Sequence, residues 1–247
     1  MSRHFDPEKP ELMDCAEAAS PELERDLLAL ESLNRPFGSH RLLRHFLARW
    51  WTPQRCYRVL DLCTGGGDLP RMMVAWARAR GITLRIDALD ANPHTIEIAR
   101  RLSAGFPEIE YHCADVLHHE SDASYDLVHC SLALHHFGDD DAIRLLRRCR
   151  EFSTRWVLVS DIERHPATTL GVWLLTALLY RDPMTVHDAR LSARRAFSHR
   201  ELAALARAAG WPAFGHARFL CCRQAVWLEN REFAGIPVEV AGVPGLA

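Results

Sequence analysis

Apolar and polar positions follow two different periods along this chain, and the point where the period changes divides it. From Pro21 to about Trp51, leucines recur at helical spacing, and Ser20 is a suitable N-cap for the first helix. The segment 34–40 interrupts this pattern, so we expect two helices. After Pro53, short apolar runs alternate with amphipathic stretches of helical length. The pattern therefore predicts a helical N-terminal part in front of an α/β domain.

The alternation beyond residue 53 is regular enough to place individual elements. It predicts strands over 57–62, 83–89, 109–113, 125–132 and 155–161, and helices over 69–80, 93–104 and 140–152. A capping box of Ser198 and Glu201 starts a later helix that ends at Gly210, and two closing strands follow over 213–222 and 224–230. Strands separated by helices pair in parallel through right-handed crossovers, so we expect an open, doubly wound α/β sheet. In such sheets, ligands bind at the carboxyl ends of the strands.

The chain divides into three parts on this basis. Residues 1–52 form a loose polar arm followed by the N-terminal helices, residues 53–230 form the α/β domain, and residues 231–247 form a tail that bears Gly and Pro. Within the domain, residues 166–197 are a helical insertion that would cap the sheet. A length of 247 residues suits one such domain.

Composition and charge exclude several function classes. The net charge of −2 gives no global field that would attract nucleic acid. The eight cysteines form no CxxC pair, so we expect no metal site, and they suit a reduced compartment. The apolar run 170–180 is too short to cross a bilayer, and the N-terminus lacks a signal-peptide pattern. We therefore expect a cytoplasmic protein, monomeric or homodimeric, and we allow for peripheral access to a membrane.

The first candidate ligand-binding segment is "RVLDLCTGGGDLP", residues 58–70, where a buried strand runs into three glycines. Glycines at a strand-to-helix turn let a ligand approach the backbone closely. A dinucleotide site would need a third glycine in the GxGxxG pattern, but Asp68 follows here. An acid at a helix N-terminus repels a pyrophosphate and suits an amino-bearing ligand.

Further acids follow the next two predicted strands. Asp90 could accept hydrogen bonds from both hydroxyls of a ribose, although Asp90 or Asn92 could instead cap the helix that starts at Pro93. Asp115 could accept from an adenine amino group while Val116 packs on the ring, although Asp115 could also be an ordinary loop residue. The acids favour a nucleoside ligand that also carries a positive charge.

The segment "SLALHHF", residues 131–137, leaves the fourth predicted strand beneath this ligand. His135 and His136 are candidates for a general base, because an imidazole titrates near neutral pH. Asp161, at the end of the fifth strand, is the second choice. The alternative for each histidine is a packed or backbone-bonded loop residue.

Together these motifs resemble the class I S-adenosylmethionine-dependent methyltransferases over about 54–165 and 197–211. Within that family, "NRPFGSHRLL" (34–43) and "TGGGDL" are similar to segments of the ubiquinone and menaquinone biosynthesis methyltransferases. The resemblance implies a Rossmann-like sheet of seven strands with the last one antiparallel, and it implies S-adenosylmethionine as cofactor, with S-adenosylhomocysteine as product. It also implies that Asp61 holds loop amides and that Asp68 lies near the cofactor's ammonium group. The cofactor-binding residues that it implies are Asp61, Cys63, Thr64, Gly65, Gly66, Gly67, Asp68, Asp90, Ala91, Asp115, Val116, Ser131 and Leu132. Cys63 and Thr64 depart from the family's pattern, in which glycine stands first.

The acceptor is indicated by the apolar insertion, for which the quinone enzymes offer no match. The helix 170–180 and the N-terminal helices together suggest a hydrophobic small-molecule acceptor, phenolic, quinonoid or polyketide- and lipid-like, methylated on oxygen or carbon. The residues that we expect at the acceptor are Phe37, Trp173, Tyr180, His187 and Arg194. Core packing is the alternative for the apolar members, and a solvated surface cluster for His187 and Arg194.

Other functions of the same fold fit the sequence less well. Nucleic-acid amino-methyltransferases carry an Asn/Asp-Pro-Pro-aromatic segment where this chain reads Ser131 to Leu134. Metal-dependent catechol enzymes need carboxylates near the end of strand four, and this stretch offers none before Asp139. A nicotinamide-dependent oxidoreductase would need a third glycine in its binding motif, and this sequence lacks it. A catalytically silent methyltransferase-like binding or regulatory subunit is the alternative that we retain.

Overall fold

The alternating segments form one sheet of seven strands in the computed structural model, which describes residues 2–179, 182–220 and 222–230. The strands are β1 Cys56–Leu62, β2 Thr83–Asp90, β3 Ile109–Cys113, β4 Tyr125–Ser131, β5 Ser153–Ile162, β6 Gly215–Phe219 and β7 Arg223–Glu229. Their order across the sheet is β3-β2-β1-β4-β5-β7-β6. β7 runs antiparallel to both β5 and β6, and the other pairings are parallel. The predicted α/β sheet with an antiparallel last strand is therefore confirmed.

Eight helices flank or precede this sheet within the described residues. They are α1 Pro21–Asn34, α2 Ser39–Trp50, α3 Asp68–Arg78, α4 Pro93–Leu102, α5 Asp139–Phe152, α6 Pro166–Leu179, α7 Pro183–Arg195 and α8 His199–Ala208. The predicted capping box starts α8: the Ser198 side chain accepts from the Glu201 amide, and the Glu201 side chain accepts from the Ser198 amide. The predicted insertion 166–197 is the helix pair α6 and α7, which pack against each other.

Two apolar clusters hold the sheet between its helices. One face packs on α2 and α3 through residues such as Phe46 and Met73, and the other packs on α5 and α8 through residues such as Leu145 and Leu202. The strand order reverses between β1 and β4, since β1 pairs with β2 on one side and with β4 on the other. A crevice at the carboxyl ends of β1 and β4 is where this architecture binds ligands.

The N-terminal arm is not loose, contrary to the prediction. The backbone amides of Leu12 and Met13 donate to the two carboxylate oxygens of Asp188 on α7, at 2.8 and 3.0 Å. Arg3 donates to Asp139 and to the carbonyl oxygen of Phe137. Periodicity cannot reveal such anchoring, because it depends on residues about 130 to 180 positions away. The predicted tail 231–247 lies outside the described residues.

Candidate active site

A cavity of about 740 Å³ lies over the carboxyl ends of β1, β2 and β4. The loop after β1 and the ends of β2 and β4 form its floor, while α1, α6, α7 and the N-terminal arm form its walls. One side is polar and includes Asp61, Asp68 and Asp90, and the other is apolar and includes Leu30 and Leu175. The cavity thus joins the predicted cofactor motifs to the predicted acceptor elements.

Asp90 holds the glycine loop. Its Oδ2 accepts from the Gly65 amide at 2.9 Å, and its Oδ1 accepts from the Asn92 amide at 3.1 Å. Burial raises the pKa of Asp90, and these two amides oppose that rise. Asn92 is the residue that caps α4, because its side chain accepts from the amides of His94 and Thr95. The capping alternative for Asp90 is therefore excluded, and its carboxylate lines the cavity.

Asp61 has a different partner from the predicted one. The parallel register places Asp61 beside His129 of β4, and Asp61 Oδ1 lies 2.5 Å from His129 Nδ1. Both side chains are buried. The expectation that Asp61 holds the loop amides is wrong. Its carboxylate pairs with His129, and the Gly65 amide donates to Asp90 instead. The Asp61–His129 pair ties β1 to β4 directly beneath the cavity.

Asp68 begins α3 and faces the cavity as predicted. Its Oδ2 accepts from Asn34 Nδ2 at 2.9 Å and lies 3.6 Å from His40 Nε2. Burial raises the pKa of Asp68, but the hydrogen-bonding groups of His40 and Asn34 outweigh it, so this pKa is lowered. The carboxylate is thus kept charged where a helix dipole favours it.

The remaining loop residues form a cradle for a ligand. Gly65 has a φ of +54°, and a Cβ built there would meet only open space. Thr64 Oγ1 is buried in the cavity wall and has no hydrogen-bond partner among the described residues. Gly67 does not line the cavity, so the prediction that it lets a ligand approach is wrong. It instead makes room for Tyr111, whose hydroxyl an added Cβ would overlap. The Thr64 hydroxyl beside bare backbone is therefore available to hydrogen-bond a polar group or a water molecule in the cavity.

Two non-glycine residues of the cavity floor adopt left-handed backbone conformations. Cys63 follows β1 with a φ of +54°, and Leu132 follows β4 with a φ of +58°. Such conformations cost energy for residues with a side chain and concentrate at functional sites. Cys63 therefore takes the turn conformation that glycine would adopt more easily in the family's pattern, and the strand–turn–helix path is retained.

The other predicted cofactor residues line the same cavity. Ala91, Val116, Ser131 and Leu132 all contribute to its floor. Asp115 also lines it, but its carboxylate already accepts from the Leu117 amide and lies 2.7 Å from His118 Nδ1. Its role toward an adenine stays a prediction.

The two candidate bases differ in what surrounds them. His135 is buried, with Nδ1 2.8 Å from Asp161 Oδ1, and its amide donates to Asp161 Oδ2. Burial lowers the pKa of His135, but the charges of Asp161 and Glu11 outweigh it and raise this pKa to about 10. An imidazolium cannot accept a proton, so the structure argues against His135 as the general base. Asp161 is committed to His135 and does not line the cavity.

His136 stays a candidate base, and it brings in residues that sequence reasoning missed. Its Nδ1 lies 2.8 Å from Asp14 Oδ2, and its Nε2 lies 3.6 Å from Glu11 Oε2. Asp14 and Glu11 belong to the N-terminal arm and line the cavity. Nothing in the pattern of a short polar arm marks them, because only tertiary contacts bring them to the strand ends.

The predicted acceptor residues separate into two groups. Phe37 lines the cavity. Trp173 is 52% exposed and faces away from the cavity, so its predicted place at the acceptor is wrong. His187 pairs with Asp188, and Arg194 is exposed and does not line the cavity. Both positions agree with the alternative of a solvated surface cluster. Tyr180 lies outside the described residues.

Comparisons with known proteins agree with this geometry. Residues 59–154 match a family described as a methyltransferase domain. The ubiquinone biosynthesis O-methyltransferase of Paracidovorax citrulli is 31% identical over 160 residues, which are 62% of this chain and 64% of that protein. The 2-phytyl-1,4-naphtoquinone methyltransferase of Thermosynechococcus vestitus is 35% identical over 81 residues, 33% of this chain and 35% of that protein. Over residues 59–154 the chain is therefore similar to methyltransferase domains, and both curated relatives are methyltransferases.

A solved structure shows the same fold at low identity. The plantazolicin methyltransferase BpumL, in complex with S-adenosylhomocysteine, superposes with a TM-score of 0.63 at 12% identity. The match covers 86% of this chain and 91% of that one. The family match and the two curated relatives confirm the predicted resemblance to methyltransferases related to the quinone enzymes. This chain spans less than two thirds of the length of either curated relative.

Proposed function

We propose that this chain is an S-adenosylmethionine-dependent methyltransferase that acts on a hydrophobic small molecule with a phenolic or quinonoid head. The observation that carries the proposal is that one cavity is lined both by the acidic glycine loop and by apolar side chains of α1 and α6. The relatives named for quinone biosynthesis support the acceptor class. Methylation on oxygen and methylation on carbon both remain compatible with the cavity.

The polar end of the cavity fits the proposed cofactor. Asp90 would accept from the ribose hydroxyls, and Asp68 would face the amino group, since each carboxylate lines the cavity. Thr64 Oγ1, without a partner among the described residues, would hydrogen-bond the amino-acid part. The cofactor supplies an activated methyl group.

The protein's main contribution is alignment. Holding the acceptor in line with the sulfur–methyl bond can lower the barrier by roughly 7–11 kcal/mol at most. The rigid floor formed by β1 and β4 fixes one partner, and the helical wall formed by α1 and α6 fixes the other. A base is required only for an acceptor that must lose a proton, as a phenol must.

The acceptor end is formed by side chains from distant segments. Leu27, Leu30 and Leu33 of α1 line the cavity together with Val172 and Leu175 of α6. This apolar lining suits the ring or alkyl chain of an acceptor. Trp173, Leu174 and Leu178 lie on the opposite side of α6 and are exposed. That exposed side supports the expected peripheral access to a membrane, from which a lipid-like acceptor could be drawn.

Within the described residues, no helix has both the length and the apolar character needed to span a membrane. The cytoplasmic location and the monomeric or homodimeric state stay predictions.

Calorimetric titration with S-adenosylhomocysteine, with NADH as control, tests the proposed cofactor. We expect micromolar binding of the first and none of the second. Binding of neither compound would overturn the proposal. An acceptor screen follows, in which long-chain phenols and quinols are compared with polar catechols. Equal turnover of both groups would contradict the hydrophobic acceptor, and cofactor binding without any turnover would favour the silent binding subunit.

A further inference from the structure

Three side chains at the edge of the cavity, one of them the candidate base His136, form a cluster whose arrangement the proposed methyl transfer does not explain. They are Glu11 from the N-terminal arm and His135 and His136 from the turn after β4, and we call them the Glu–His–His cluster. One ligand atom from each lies within 4.8 Å of the other two. Glu11 and His135 are buried, His136 is partly buried, and all three line the cavity.

Each imidazole is oriented by a carboxylate on its far side. His135 Nδ1 lies 2.8 Å from Asp161, and His136 Nδ1 lies 2.8 Å from Asp14. Both Nε2 atoms therefore point toward Glu11. Histidines that bind a metal through one nitrogen are held by a carboxylate or a carbonyl oxygen at the other. Two neighbouring histidines share that arrangement here.

The Glu11 carboxylate is also held in place. Ser192 on α7 donates to Glu11 Oε1 at 2.6 Å. Glu11 Oε1 lies 3.6 Å from His135 Nε2, and Glu11 Oε2 lies 3.6 Å from His136 Nε2. These distances exceed the range of a good hydrogen bond. Two atoms that bind the same ion through bonds of about 2.0–2.2 Å lie roughly 3–3.5 Å apart, so the spacing is close to that of a shared ion.

Two imidazole nitrogens and one carboxylate are borderline ligands that suit Zn²⁺ and related first-row ions better than Mg²⁺ or Ca²⁺. We propose that the Glu–His–His cluster binds one divalent transition-metal ion of the Zn²⁺ type, with Asp14 and Asp161 orienting its histidines. A bound ion would displace the proton from His135 Nε2 and occupy Nε2 of His136, so neither histidine would act as a general base in the metal-bound protein. Three protein ligands leave a coordination position that faces the cavity, as catalytic rather than structural zinc sites do. This inference replaces the expectation of no metal site, which rested on cysteine spacing and on strand-end carboxylates.

The open coordination position could bind the acceptor. A phenolic or quinonoid head carries an oxygen that could become the fourth ligand, which would hold the acceptor against the wall opposite the apolar lining. This part rests on the proposed function, whereas metal binding by the cluster does not depend on it. The ion would act as an anchor for the acceptor.

A second group of possible ligands offers a matched control. Asp87, Glu110 and His112 also bring three ligand atoms within 4.8 Å of one another. They lie outside the cavity lining, and Asp87 is already paired with Arg58 at 2.8 Å. This second group contains one histidine rather than two, and its Glu110 is exposed. Removing His112 should therefore leave metal binding by the chain unchanged.

The test is titration of tag-free, chelator-treated protein with Zn²⁺ by calorimetry, with Co²⁺ absorption as a second probe of the ligands. We expect one ion per chain in the unsubstituted protein and in His112→Gln. Glu11→Gln and His136→Gln should weaken Zn²⁺ binding by about 100-fold or more, and Asp14→Asn by about 10- to 100-fold. His136→Gln should also abolish the Co²⁺ ligand-field bands.

As a control for correct folding, the thermal unfolding of each variant is measured without metal. His136 is partly exposed, so its variant is the least prone to misfold and keeps the test decisive. Any one of three results would overturn the metal site. They are the absence of one-to-one Zn²⁺ binding, an unchanged Zn²⁺ affinity in the Glu11 and His136 variants, and an equal loss of affinity in His112→Gln. Parallel titration with S-adenosylhomocysteine separates the two proposals. Zn²⁺ binding without nucleoside binding would overturn the proposed function alone, and the reverse result would overturn the metal site alone.

Discussion

The two ends of the cavity are built in different ways. The cofactor end draws its residues from 61–68, 90–91, 115–116 and 131–132, which follow four neighbouring strands. The acceptor end combines residues 11–14, 27–37 and 168–192, which meet only because the arm, α1, α6 and α7 converge. The first end is held by strand register and backbone amides, and the second by side-chain contacts between distant helices. We expect the first to tolerate little change and the second to be adjustable.

The largest expected effect is at the turn of the glycine loop. Gly67→Ala should lower the free energy of unfolding by about 2–4 kcal/mol, because the residue has a φ of +74° and its new Cβ would overlap the Tyr111 hydroxyl. Denaturant unfolding measures the change. Gly65→Ala is the matched control, with a positive φ but open space around the Cβ, and should lose only about 1 kcal/mol. Equal losses in both variants would contradict the close-packed turn.

The next effect concerns the cofactor rather than stability. Asp90→Ala should weaken binding of S-adenosylhomocysteine by about 1–3 kcal/mol, through the lost ribose contact and the Gly65 amide left without its acceptor. Calorimetry measures the affinity. Asn92→Ala, which removes the cap of α4, serves as the comparison and should affect stability more than affinity. Unchanged affinity in Asp90→Ala would remove the ribose assignment.

The helical wall should respond to pH through Asp26. This buried carboxylate of α1 accepts from Thr185 of α7, and burial raises its pKa to about 6. The folded state therefore binds a proton more tightly than the unfolded chain, and the corresponding stability is lost as pH rises from about 4 through 6. Asp26→Asn keeps the hydrogen-bond acceptor and should be more stable than the unsubstituted protein at pH 7, by about 2 kcal/mol.

Thermal unfolding across pH 4–8 checks the Asp26 prediction. The two proteins should differ least near pH 4 and most above pH 6. A constant difference at all pH values would show that Asp26 does not titrate in this window.

The smallest effect should be confined to the acceptor. Leu175→Ala removes an apolar side chain from the cavity wall and should raise KM for a long-chain phenol about fivefold, which corresponds to about 1 kcal/mol of lost burial. Binding of S-adenosylhomocysteine should not change. Leu174→Ala, on the exposed side of the same helix, is the control and should leave KM as it was. A similar rise in both variants would place the acceptor elsewhere.

Local patterns were sufficient for the fold and for much of the cofactor end. Strands over 109–113 and 83–89 were predicted within one residue, because alternating apolar runs depend on neighbours in sequence. Asp68 and Asp90 were predicted at the cavity for the same reason, since a parallel sheet brings all its strand ends to one edge. The partners of these acids were not predictable. Asp61 meets His129 through strand register, 68 positions along the chain.

The sequence by itself determined the order of strands and helices, the glycine turn and the acids at the strand ends, because each follows from residues a few positions apart. Only the tertiary structure decided which side of α6 lines the cavity, and it turned Trp173 outward and Leu175 inward. It also anchored the N-terminal arm on α7 and brought Glu11 to His135 and His136. Such contacts form between surfaces that no local pattern encodes, since their free energy depends on how the whole chain packs.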